Sequence, residues 1–105
     1  MSHPSEGRKP AMVVAVNEKL EELLRADASS LTALPPQSSE QVELGKERFT
    51  LSVWHDEPAP AEHRVVVQAH KSSLLGLAGK VYAEGFSMKN GEKRRLAGSE
   101  LDDFT

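Results

Sequence analysis

Asn90-Gly91 lies between two runs that each read as a strand, one ending at Lys89 and one beginning at Glu92. An Asn-Gly pair suits a two-residue type I′ turn, because both central residues need φ > 0. Such a turn dictates the register: Lys89 opposes Glu92, Met88 opposes Lys93, and Phe86 opposes Arg95. It also gathers three consecutive basic residues, Lys93, Arg94 and Arg95, on one strand. The rest of the chain is expected to cover this 80–96 hairpin or to extend its sheet.

A chain of 105 residues is long enough for one domain. Its aromatic residues are one Trp, one Tyr and three Phe, so the core has to rest on Val, Leu and Ala. There is no cysteine, which excludes disulfides, thiolate metal sites and a cysteine nucleophile. No apolar run approaches the ~20 residues of a membrane span. The apolar run Ala11 to Val16 follows Arg8-Lys9, but it is too short for a secretory leader and Glu18-Lys19 comes directly after it. The chain therefore reads as a small soluble cytoplasmic protein with no membrane association.

Charge is unevenly distributed. Residues 17–62 carry ten acidic and four basic side chains, whereas residues 64–95 carry seven basic and two acidic. The two halves either face each other or leave a basic surface for an acidic partner.

Residues 1–9 lack periodicity and are expected to form a disordered tail. Residues 10–26 predict a helix with Pro10 at its first position. Met12, Val13, Val16, Leu20, Leu23 and Leu24 fall on one stripe. Glu21 can pair with Arg25 one turn later. Residues 27–40, rich in Ser and with Pro35-Pro36, read as a linker. Phe49, Leu51 and Val53 alternate with polar residues and Trp54, which predicts a strand, with Val42 and Leu44 as its possible beginning and Gly45 as a bend or bulge. After a loop at 56–62, residues 63–70 form the next strand. Its run Val65-Val66-Val67 suggests burial on both sides and hence a central position. Leu74, Leu75 and Leu77 make the connection to the hairpin unusually apolar. Ser99 is a candidate N-cap for a terminal turn over 99–104, where Leu101 and Phe104 share a face.

The chemistry-bearing residues form few recognisable constellations. His55 and His63 flank the 56–62 loop and could meet across it, but two imidazoles fall short of a structural zinc set, so no metal is assigned. There is no nucleophile elbow, phosphate loop or dinucleotide fingerprint, and no catalytic residue or cofactor is assigned. Tyr82 and Phe86 beside the basic residues could serve as stacking platforms for nucleic acid. In a strand, however, they share a face with Glu84, which repels phosphate.

The expected fold is α+β: an amphipathic N-terminal helix packed on an antiparallel meander of about four strands (42–97), closed by a short terminal turn. Residues 10–105 form the single domain. The core should include Val16, Leu20, Leu23, Leu24, Phe49, Leu51, Val53, Val65, Val67, Val81 and Phe86. The expected function is a non-catalytic protein–protein interaction or assembly role, with a protein partner or a second copy. The candidate contacts are Leu74, Leu75, Leu77, Lys93, Arg94, Arg95, Leu101 and Phe104. The alternative is nucleic-acid binding by the basic face of the 80–96 hairpin.

Overall fold

A computed structural model describes residues 10–71 and 79–105. The expectations for the 1–9 tail and for Leu74, Leu75 and Leu77 lie outside the described residues. Two helices come first, α1 (Ala11–Leu24) and α2 (Ala28–Thr32). Five strands follow: β1 (Gln37–Leu44), β2 (Glu47–Ala59), β3 (Glu62–Lys71), β4 (Lys80–Lys89) and β5 (Glu92–Arg95). A 3-10 helix, Gly98–Phe104, closes the chain. The sheet is an antiparallel meander in the order β1-β2-β3-β4-β5, so the expected α+β architecture holds with one strand more.

The extra strand comes from the segment read as a linker. Asp27 caps α2 by accepting from the Ser30 amide at 2.8 Å, and Leu31 is buried beneath. Pro36 already contributes its carbonyl to the His55 amide at 3.0 Å, and β1 begins at the next residue. Gly45 is the first residue of a two-residue turn rather than a bulge. Its φ of +62° suits the first position of a type II′ hairpin between β1 and β2. The β2–β3 connection is shorter than expected, because β2 continues through an irregularity between Asp56 and Ala59. Its tight turn holds Ala61 at φ +62°.

The 80–96 hairpin follows its turn chemistry. Asn90 and Gly91 have φ of +55° and +82°, and Phe86↔Arg95, Met88↔Lys93 and Lys89↔Glu92 are the observed pairs.

Strand alternation gives the sheet two different faces. Phe49, Leu51, Val53, Val65, Val67, Ala69, Phe86 and Met88 form one core with Met12, Val16, Leu20 and Leu23 of α1. The valines of α1 each lower helix propensity by less than ~0.7 kcal/mol. Fully burying a side chain such as Val16 or Leu20 returns about 1.5–3 kcal/mol, so packing decides the conformation. Leu24 is half-buried at the edge of this core. Glu21 reaches Arg95 on β5 rather than Arg25 on its own helix.

The other face carries a smaller cluster of Val66, Ala83, Leu96 and Leu101, with Trp54 and Phe104 beside it. Val65, Val66 and Val67 are 0%, 1% and 0% exposed, so β3 is covered on both sides. Val81 departs from the expected core. Phe86 sets the even-numbered residues of β4 toward α1, which turns Val81 to the opposite face, where it is only half-buried.

Gly85 permits the second cluster to close. A Cβ there would lie 2.5 Å from the Val65 carbonyl oxygen and 3.0 Å from Leu96 Cδ1. Gly85→Ala should therefore destabilise the fold by about 1–3 kcal/mol in a urea titration. An unchanged midpoint would mean that Leu96 does not pack this closely.

Candidate functional site

The three basic residues of β5 all have partners within the chain. Lys93 shares a face with Met88, which points it at α1, and its Nζ donates to the carbonyl oxygens of Leu24 and Ala26 at 2.6 and 2.7 Å. These are the orphan acceptors at the end of α1, where a cation also suits the helix dipole. Arg94 points to the opposite face and forms a two-pronged bond with Glu100, both contacts at 3.0 Å. Arg95 meets Glu21. The halves of opposite charge thus join here, at the strand proposed as a basic surface.

Leu101 is buried against Val66, Ala83 and Leu96, and Phe104 is half-buried beside Trp54 with ring centroids 6.1 Å apart. The terminal helix is pinned by polar contacts as well. Trp54 Nε1–H donates to Gln68 Oε1 at 3.2 Å, and the Gln68 amide donates to the Phe104 carbonyl at 2.6 Å. Arg64, paired with Asp56, stands 5.5 Å from the centre of the Phe104 ring. Ala97 rather than Ser99 occupies the N-cap position. The Glu100 carboxylate takes the capping role by accepting from the Ala97 amide at 2.9 Å. Arg94, and then that amide bond, hold the Glu100 carboxyl down at about 2.

His55 and His63 do meet, although His55 lies directly opposite Val65. The Leu34 carbonyl can only accept, so in the neutral pair His55 Nδ1–H donates to it at 2.9 Å. His55 Nε2 then accepts from His63 Nδ1–H at 3.0 Å, and the rings stack at 25°. The stack ties the segment before β1 to the sheet. No group of three or more potential metal ligands occurs among the described residues. On the same face Phe86 is fully buried, and the Tyr82 hydroxyl donates to Glu84 at 2.7 Å. Burial first, and Glu84 second, push the Tyr82 hydroxyl up to about 12. The Phe86 ring is enclosed in the core, and the Tyr82 ring is half-buried against it.

Among the described residues, β1 forms one edge of the sheet. Its register with β2 runs from Gln37↔Trp54 to Leu44↔Glu47 without a bulge. The His55 amide bonds to the Pro36 carbonyl, and ladder bonds in an antiparallel pair alternate. Ser38, Glu40, Val42 and Leu44 therefore bond to β2, while Gln37, Ser39, Gln41 and Glu43 direct their backbone N–H and C=O groups away from the sheet. The side chains of Ser39, Gln41 and Glu43 bond across the strand pair. Ser39 meets Ser52 at 2.8 Å, Gln41 meets Thr50 at 2.9 Å, and Glu43 meets Arg48 at 3.1 Å. β1 contains no Lys or Pro, and α1 lies over β2, β3 and β4. Sequence reasoning missed this edge, because its only apolar residues are Val42 and Leu44.

Lys93→Met should cost about 1–2 kcal/mol in thermal or urea unfolding, through loss of the charged bonds at the end of α1. The carboxyl of Glu100 lies below its ordinary value of 4.5, so its contribution is whole above that pH and is lost as pH falls through about 2. Trp54 emission should report release of the terminal helix across this window, and Glu100→Gln should flatten the response. No protein-family model, curated protein or solved structure matches this chain.

Proposed function

We propose that this chain is a non-catalytic protein–protein interaction or assembly module that binds by strand addition at β1. The observation that carries this reading is an eight-residue edge strand in continuous register, with a backbone that faces outward without a partner among the described residues. Edge strands commonly carry Lys, Pro, a bulge or a cover against such pairing, and β1 has none of the first three. An extended segment added there gains main-chain hydrogen bonds for affinity, and alternate side chains set its specificity.

The other edge differs. β5 has only four residues, three of them basic. Nucleic-acid binding by the 80–96 hairpin draws less support, because Lys93, Arg94 and Arg95 each have a partner within the chain. A cytoplasmic setting belongs to the same reading and rests on the cysteine-free composition.

Gln41→Pro is a clean probe. Proline removes an N–H that points outward, so the ladder to β2 survives, and only the side-chain bond to Thr50 is lost. Gln41→Ala removes the same side-chain bond but keeps the N–H. Tagged wild-type protein and both variants should be compared in nuclease-treated lysate. Proteins held by wild type and Gln41→Ala but lost with Gln41→Pro are the expected result. Identical captures by all three would overturn strand addition.

A further inference from the structure

The open edge of β1 has a self-complementary register, and this deepens the strand-addition reading on which it rests. We propose that the chain forms a two-fold symmetric dimer in which β1 pairs antiparallel with β1 of a second copy, with Val42 on the dyad.

Only the residues whose backbone points outward can form the new ladder, which limits the registers. A register centred on Glu40 or on Glu43 sets identical carboxylates opposite each other, which is destabilising. One centred on Gln41 sets Val42 against Glu40 and Leu44 against Ser38, leaving no apolar pair across the dyad. One centred on Val42 sets Val42 against itself. Gln41 then bonds to Glu43 of the second copy, and Glu43 to Gln41, through their outward N–H and C=O groups. No like charges are opposed. Leu44 of the second copy lies across from Glu40, next to Val42.

Independent features of the α1 side of the sheet fit this register. Leu44 is the one large hydrophobic side chain exposed among the described residues, at 37%, and Val42 is half-buried. A hollow of about 170 Å³ separates α1 from β1, bordered by Lys19, Ser38, Glu40, Leu51 and Val53. α1 does not cover β1 at this point. Leu44 of each copy, opposite Glu40 of the other, reaches the mouth of this hollow above Leu51 and Val53. The two contacts are equivalent, as a two-fold interface requires. In this register Glu43 lies across from Gln41 and Glu40 across from Leu44, so no carboxylate faces another across the dyad.

Sedimentation equilibrium of the full chain, up to about 1 mM protein, should show a monomer–dimer equilibrium. Gln41→Pro should weaken it at least about tenfold, and Gln41→Ala much less, because only the former removes ladder bonds. The chain has no native cysteine, so single cysteines report the register. Val42 on the dyad forms a close pair, with Cα atoms about 4.5 Å apart, inside the range a disulfide accepts. Oxidised Val42→Cys should therefore migrate as a covalent dimer, whereas Glu40→Cys, displaced along the strand from its counterpart, should not. A chain that stays monomeric throughout, a dimer indifferent to Gln41→Pro, or equal cross-linking of the two cysteine variants would each overturn the proposal. If the chain is monomeric but Gln41→Pro still abolishes protein capture, the second copy is wrong and strand addition stands. If neither association nor capture responds to Gln41→Pro, both fall.

Discussion

Burial of β3 on both faces is the constraint from which the rest of the structure follows. Three consecutive valines cannot all point one way in a strand, so Val65 and Val67 need a cover on one side and Val66 on the other. The long helix α1 meets the first demand. The terminal 3-10 helix and Leu96 meet the second, and they come close enough only because β4 has a glycine where Leu96 crosses it. In a chain this poor in aromatics, the larger cluster relies on Val, Leu and two buried phenylalanines, Phe49 and Phe86. Trp54 and Phe104 are kept for the thinner side, where ring area compensates for a cover of seven residues.

Electrostatics then decide how the covers are held. The division of charge along the chain becomes a set of clasps at β5. Lys93 and Arg95 engage α1 on one face, and Arg94 engages the terminal helix on the other. Exposed ion pairs of this kind contribute little individually. Lys93 differs because its partners are carbonyls at the end of a helix that have no other donor among the described residues. One short strand thus ties both layers to the sheet, which explains a basic cluster that sequence alone leaves as a surface in search of a ligand.

The parts legible in the sequence are those encoded locally. Asn90-Gly91 specifies a turn and hence a register, the alternation around Phe49 and Val65 specifies strands, and the spacing of Val16, Leu20 and Leu23 specifies a helix face. The illegible parts depend on partners far away in the chain. Lys93 bonds a carbonyl 69 positions earlier, and no local pattern announces that. β1 is the sharpest case. Gln37 to Glu43 have almost no hydrophobic alternation, and Pro35-Pro36 suggests an extended linker. The segment becomes a strand because Ser39, Gln41 and Glu43 find Ser52, Thr50 and Arg48 across the ladder. Those pairs exist only once Gly45 has turned the chain. The Asp27–Ser30 cap was readable, but a helix of five residues has no period to confirm it.

The same polar ladder bears on what the open edge can do. Side chains that reached outward would solvate the free backbone groups and hinder an incoming strand. Here they are drawn back onto β2, so the outward N–H and C=O groups of Ser39, Gln41 and Glu43 stand on a strand already held straight. Ordering a flexible edge is one of the costs that separates buried area from affinity. An edge held in place by its own cross-strand bonds would have met much of that cost before the proposed strand addition. The His55–His63 stack and its bond to the Leu34 carbonyl extend the restraint to the segment entering β1. The turn at Gly45 restrains the other end. Restraint at both ends, together with inward-bonded side chains, suits β1 to the strand addition proposed for it, whereas the short β5 has its charged side chains engaged in holding the fold together.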